Sequence, residues 1–366
     1  MKPNSQIIDY RITLDVSNAI KCFAICAMLC HHLFLEHREY GAIPFRFALI
    51  GKICVALFVF ISGYGVATKF QNLKNSIFSK EGFVYTIKIL SQRYIKFYLN
   101  YWIIFFTMLP LGIFIFGRSL SDAYGSDAST WICLIKDFWG IQGIESYNSS
   151  WWFNRLIILL WLLFPLLYWS MKSKIVAFAV LIFLYLNPGW HLNILNSLAP
   201  GLSSYTIIFS LGILTAIRAK EINTFLNKFN PYFITILSFT TTLLLLYMRN
   251  IAVSTYFIGI KVDPFAVLSI SLNIKCLNRL VPKIVKTMAF VGKHSMNMYL
   301  LHAFILAYFF QNLLYSISNS LLIFFVLFLS SLLLSVLLES LKRKIGFYRL
   351  LNEISSSLTR KSSFHN

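Results

Sequence analysis

Apolar runs recur along this whole chain, too long and too many for a water-soluble core to absorb. A helix crosses a bilayer with about 20 mostly apolar residues, in a range of about 17–25. Candidate spans are residues 12–34, 47–67, 94–116, 152–169, 175–188, 205–217, 232–248, 264–274, 295–310 and 321–338. The eighth is the weakest and extends toward residue 281. Composition agrees, with 58% hydrophobic and 13% charged residues, whereas soluble domains hold about 45–50% and about 25%. An ordinary soluble enzyme, a disordered chain and a polar, lysine-rich nucleic-acid binder are thereby excluded.

The 366 residues include 33 Lys and Arg against 13 Asp and Glu, a net charge of +20. Its distribution carries the information. Lys69, Lys74, Lys80, Lys88 and Arg93 lie between the second and third spans, with Glu81 the only acid. Two lysines, Lys172 and Lys174, join the fourth to the fifth. Arg218, Lys220 and Lys228 follow the sixth against Glu221, and Lys275, Arg279, Lys283, Lys286 and Lys293 precede the ninth. The tail adds Lys342, Arg343, Lys344, Arg349, Arg360 and Lys361 against Glu353. The intervening loops differ. Residues 36–46 balance two acids with two arginines, and the long polar stretch 119–150 sets Asp122, Asp127, Asp137 and Glu145 against Lys136. Segments 188–204 and 311–320 carry no charged residue.

Every second loop is basic, the pattern of the positive-inside rule with both termini in the cytoplasm. Ten spans satisfy that parity. The expected architecture is all-α: a polytopic transmembrane bundle of about ten spans. A cytoplasmic N-terminal segment (1–11), a transmembrane domain (12–341) and a basic cytoplasmic tail (342–366) divide the chain. The first span carries Lys21 in its middle and lacks a small-residue cleavage site, so no cleavable signal is expected. The six cysteines form no CxxC pattern, so neither a disulfide framework nor a metal site is expected.

Ionisable groups within spans are expensive, about 2.5–3.5 kcal/mol on insertion scales, and usually face the bundle interior. The first span holds Lys21, His31 and His32. Eleven residues at 100° each return His32 to within about 20° of Lys21, some 16 Å along the axis. His31 points about 80° away. Lys21 and His32 thus form two stations on one stripe, although a snorkelling lysine and an interfacial histidine give the same pattern. Arg93 and Lys96 stand at i, i+3 where the third span begins, a spacing suited to phosphates and equally to ordinary flanking cations. Ser62, Gly63, Tyr64 and Gly65 close the second span, where small residues also serve helix packing. Ser295, Tyr299 and His302 share one face of the ninth. There a histidine satisfied by a nearby hydroxyl competes with a catalytic one. The fourth span opens on Trp151 and Trp152, which suit an aromatic belt, followed by Asn154 and Arg155, which are less expected there.

Taken together, these segments resemble the acyltransferase-3 family of integral membrane O-acyltransferases. Lys21 and His32 match its first-span Arg/Lys followed eleven residues on by His. Gly51, Val55, Phe58, Ser62, Gly63 and Tyr64 match its second span. Arg93 and Lys96 correspond to its Arg-x-x-Arg, Trp152-Phe153 to its Trp-Phe, and Gly292, Ser295, Tyr299, Leu300 and His302 to its late motif. Lysine stands for arginine at 21 and 96, which keeps charge but loses the planar fork. The chain looks like the standalone form, without a fused SGNH domain.

The resemblance implies a cell-membrane enzyme that moves an acyl group, usually acetyl, from cytoplasmic acyl-CoA to a sugar hydroxyl. The acceptor would be a surface polysaccharide or its lipid-linked precursor. His32 would be the catalytic residue, as general base or acyl carrier. Lys21, Arg93 and Lys96 would hold the donor. Ser62, Tyr64, Trp152, Asn154, Arg155, Ser295, Tyr299 and His302 would support the site or face the acceptor. Partners would be acyl-CoA as co-substrate, the glycan and membrane lipids, with no metal and no nucleic acid. The alternative is a transporter or carrier of a lipid-linked sugar or small anion, since intramembrane charges also mark substrate paths. The absence of paired Gly/Pro-broken spans argues mildly against it.

Overall fold

The computed structural model describes residues 9–71, 73, 76–125, 129–143, 145–186, 193–252 and 256–360. The first eight residues, Lys74, Asp127, Pro188 at the end of the fifth predicted span, and Lys361 lie outside them. The described residues contain helices and no strand. In order they are α1 (Leu14–Phe34), α2 (Ala42–Gly51), α3 (Ile53–Ala67), α4 (Lys80–Phe114), α5 (Leu120–Tyr124) and α6 (Thr130–Phe138). Then come α7 (Trp152–Lys172), α8 (Lys174–Leu186), α9 (Asn193–Leu198), α10 (Leu202–Ile217), α11 (Ala219–Leu226) and α12 (Pro231–Ala252). The last are α13 (Tyr256–Leu280), α14 (Pro282–Lys293), α15 (Ser295–Ala303) with a π-helical continuation Phe304–Phe309, α16 (Gln311–Tyr315), α17 (Ser320–Lys344) and α18 (Phe347–Arg360).

Each predicted span coincides with one of these helices or with a consecutive pair. Six are long and apolar enough to cross a membrane: Leu14–Phe34, Ala42–Phe70, Lys80–Phe114, Ser149–Lys172, Pro231–Ile251 and Ser320–Lys344. A seventh exists if α10 and α11, bent by 74°, count as one span. The fifth and ninth predicted spans fall on shorter apolar helices, Lys174–Leu186 and Ser295–Phe309. The weak eighth falls on α13, which is not among the six and carries Lys261 and Asp263.

The chain divides into two compact units. The first comprises Met1–Gln71, Leu166–Asn193 and Ser203–Ser295. Here α1 is started by Thr13, whose hydroxyl accepts from the Val16 amide at 3.4 Å, satisfying one of the orphan donors of a helix N-terminus. Just before it, Arg11 lies 2.9 Å from Asp9 and holds that carboxyl below the usual carboxylate range. α1 packs against α2, α3, α13 and above all α14. The approach to α14 is so close that a Cβ on Gly292 would overlap the Asn18 carbonyl. α3 and α10 meet the same way, with Gly63 on the Phe209 carbonyl and Gly212 on the Phe60 carbonyl. Without a hydrophobic drive between helices in lipid, such backbone contact supplies the packing energy. The motif glycines at 63 and 292 therefore have a structural reason.

The second unit comprises Asn72–Pro165, Ile194–Leu202 and Met296–Asn366. Its core gathers Tyr101, Ile104, Phe105, Tyr147, Trp151, Leu300, Leu301 and Phe304. The stretch 119–150, expected as a polar loop, is instead built from α5, α6 and a short 3-10 turn at Ser149–Trp151. α6 ends in a Schellman motif: Ile141 N–H donates to the Lys136 carbonyl at 2.9 Å and Gly140 N–H to the Asp137 carbonyl at 2.8 Å. Gly140 has φ +65°, the left-handed conformation this stop requires. The end carbonyls of α6 also accept side-chain hydrogen bonds from α4, that of Asp137 as a second bond. Tyr101 Oη donates to Asp137 O at 2.6 Å, Trp102 Nε1 to Phe138 O at 2.9 Å and Tyr98 Oη to Trp139 O at 3.1 Å.

Candidate active site

In the first unit, α1 is one unbroken helix over residues 14–34. The helical register read between Lys21 and His32 is therefore realised. Lys21 is half-buried, and its ammonium donates to the buried Asn18 Oδ1 at 3.1 Å. The two neighbouring imidazoles have distinct surroundings, with ring centroids 5.3 Å apart in an edge-on arrangement. His31 Nδ1 is 2.7 Å from the Ala48 carbonyl, and Gly51 packs against its Cβ. His31 thus tethers α1 to α2. His32 is half-buried on the face it shares with Lys21. Ser62 is buried in α3, and Tyr64 is buried with its hydroxyl donating to the Ile12 carbonyl at 3.2 Å, across from the start of α1. Ser295 opens α15 and is also buried.

In the second unit, Arg93 lies against Trp161, its guanidinium carbon 4.9 Å from the ring centroid. Lys96, one turn on, is exposed. The i, i+3 pair therefore presents one cation stacked on an indole and one in the open. Asn100, another turn on, is buried and accepts from Lys342.

The late motif joins the start of α7. His302 has no exposed surface. Its Nδ1 lies 2.8 Å from the Tyr299 carbonyl and its Nε2 3.4 Å from Ser150 Oγ. Tyr299 Oη donates to the Ser150 carbonyl at 2.8 Å and to Asn154 Oδ1 at 3.2 Å. Asn154 is fully buried beneath Gly140, and its Nδ2 makes no protein hydrogen bond. Arg155 reaches the Ser197 carbonyl at 3.4 Å. Trp152 is half-buried beside Phe153. The neighbouring Trp151 Nε1 and Asn148 Nδ2 both donate to the Leu300 carbonyl at 3.2 Å. That carbonyl lies just before the helix widens into π turns, where the regular ladder shifts and leaves acceptors for side chains. Tyr299, His302 and Asn154 thus form one cluster, whereas Lys21 and His32 belong to the other unit.

Two buried charge clusters in the structure escaped the sequence reading. Arg249 Nε donates to Asp263 Oδ1 at 2.6 Å, both side chains almost fully buried, and its Nη1 donates to the Leu49 carbonyl at 2.6 Å. The signal was present: an aspartate beside Pro264, in the weakest predicted span, needs a cation partner in an apolar setting. Lys342 was assigned to the cytoplasmic tail. Instead it lies in the last turn of α17 with no exposed surface, donating to Asn100 Oδ1, Asn297 Oδ1 and Glu339 Oε1 at 2.7, 3.1 and 2.8 Å. Its i, i+3 spacing from Glu339 was the available clue.

A family model described as an acyltransferase domain matches residues 15–340. The chain belongs to the acyltransferase-3 family. Membership, together with the several long apolar helices, makes it a multi-pass membrane protein with an acyltransferase domain. Searches of curated proteins and of solved structures found no match.

Proposed function

We propose that this chain is a membrane O-acyltransferase that moves an acyl group, in the first instance acetyl, from acyl-CoA to a sugar hydroxyl. The acceptor is a surface polysaccharide or its lipid-linked precursor. The reading places the chain in the cell membrane with about ten crossings and both termini in the cytoplasm, supported by the alternation of basic loops. The observation that carries it is His32. It stands in the family's eleven-residue register from Lys21 on an unbroken α1, in a chain matched over 15–340, while its neighbour His31 is engaged with Ala48.

A neutral imidazole at His32 takes the proton of the acceptor hydroxyl as its oxygen attacks the thioester carbonyl; the C–S bond breaks and the CoA thiolate leaves to be protonated. In the alternative route the imidazole nitrogen attacks first and carries the acyl group to the hydroxyl in a second step. An acylated His32 trapped without acceptor distinguishes the two. Lys21, Arg93 and Lys96 are assigned to the donor, whose phosphates attract them. Ser62, Tyr64, Trp152, Asn154, Arg155, Ser295, Tyr299 and His302 are assigned supporting roles.

The test is transfer of labelled acetyl from acetyl-CoA in membranes that carry the wild type, His32→Ala or His31→Ala. Wild type and His31→Ala should transfer label to glycan, and His32→Ala should not. Full transfer by His32→Ala, or none by wild type with glycan acceptors present, overturns the proposal.

A further inference from the structure

In the segment joining α4 to α7, the outer surface of α6 is apolar where a helix in water would be polar. Four polar side chains of the segment are buried, Asp137 and Asn148 exposing nothing and Ser146 and Ser150 only 5%, while Ser121, Asp122, Lys136, Glu145 and Ser149 are exposed. Along one edge of α6 and its C-terminal cap the large apolar side chains are exposed, Trp131 by 66%, Ile132 by 55%, Ile135 by 61% and Trp139 by 46%. A helix at a water-facing surface shows the reverse. The same inversion marks α17, the most apolar candidate span, where Leu321, Leu329, Leu333 and Leu337 are exposed and Ser331 and Ser335 are buried.

The depth of α6 follows from its caps. Tyr98, Tyr101 and Trp102 lie 12 to 16 residues before the end of α4 at Phe114. At 1.5 Å per residue, α6 therefore ends about 18–24 Å down α4 from that terminus. Residues 97–116 carry no charge and have the length of one bilayer crossing. The C-terminal end of α6 thus lies within the apolar length of α4. Phe138 extends the same surface, stacked on Trp102 at 4.9 Å and 6.0 Å from Phe106, which is 61% exposed.

Irregular backbone at membrane depth must find its hydrogen bonds inside the protein. Here it does. Asp137 Oδ2 accepts from the Tyr147 amide and from Tyr124 Oη, each at 2.6 Å. Asn148 Oδ1 accepts from the Ser150 amide, and Tyr308 Oη accepts from the Ser149 amide, each at 3.0 Å. Lys136 is exposed beside the apolar edge, and its long stem lets the ammonium reach toward headgroups.

We propose that α6 is a re-entrant helix whose edge of Trp131, Ile132, Ile135 and Trp139 contacts the acyl chains of the surrounding bilayer. The inference does not rest on the acyl-transfer reading and holds or fails without an activity assay. Its test uses the full chain in phosphatidylethanolamine/phosphatidylglycerol nanodiscs. A benzophenone amino acid is placed singly at Ile132, Ile135, Leu333 on α17 and Ser121 on α5, each irradiated and analysed by mass spectrometry. Positions 132 and 135 should form lipid adducts as position 333 does, and position 121 should not. If 132 and 135 behave like 121, or cross-link to a second copy of the chain in place of lipid, the proposal is overturned. Variants are compared only as monodisperse protein, and positions 132 and 135 point outward, so the label displaces nothing packed.

Discussion

Lys21 and Lys342 bring the same ammonium into two different settings. Lys342 is wholly enclosed, with all three of its N–H bonds directed at Asn100, Asn297 and Glu339. Glu339 in turn accepts from Asn297 Nδ2 at 2.8 Å and from Tyr348 Oη, which ties α18 to α17. Lys21 is half-buried, with its ammonium on Asn18. The histidines repeat the contrast: His302 is enclosed with a partner at each nitrogen, whereas His32 is half-buried. An intramembrane charge or imidazole is expensive wherever it sits. One enclosed in a network such as that of Lys342 holds helices together.

That contrast can be broken at four points, from the largest expected effect down. His32→Ala should lower acyl transfer by about 10²–10⁴-fold, the usual worth of a positioned general base, with folding retained. A smaller loss, measured per folded molecule, would remove His32 from the chemistry. Lys342→Met should destabilise the protein by about 3–5 kcal/mol by leaving Glu339 without its cation. Thermal denaturation in detergent reads this, and an unshifted midpoint would mean that the network is not structural. His302→Gln should cost about 1–3 kcal/mol of stability, because one buried partner is left unmatched, with a smaller loss of transfer per folded molecule than His32→Ala. A folded but inactive His302→Gln would erase the distinction between the two histidines. Lys96→Ala should raise the donor KM about fivefold, near the 1 kcal/mol upper end for an exposed ion pair. An unchanged KM takes Lys96 out of donor binding.

Much of this was legible in the residues. The apolar runs placed every predicted span on a helix, since hydrocarbon admits only segments that satisfy their own backbone. α1 could be read almost to the residue, because Thr13 caps it and the Lys21–His32 stripe needs only the helical repeat. The second unit was less readable. Residues 119–150 mix acids, serines and aromatics, a composition that suggests a polar loop; only packing reveals that Asp137 points inward and Trp131 outward. Lys342 misled for a related reason. A cation near the end of a span obeys the positive-inside rule whether it faces water or a carboxylate, and which one holds depends on Asn100 and Asn297, distant in the chain.

The sequence by itself thus determined the class of fold, the family and the helical face on which Lys21 and His32 stand, because hydropathy and helical periodicity are local properties. Tertiary structure decided which charged and polar groups are consumed as architecture. That depends on partners brought together from 145 to 242 residues apart, as in Tyr299 with Asn154 and Lys342 with Asn100. Burial and hydrogen-bond closure are relations between helices, and no single helix contains them.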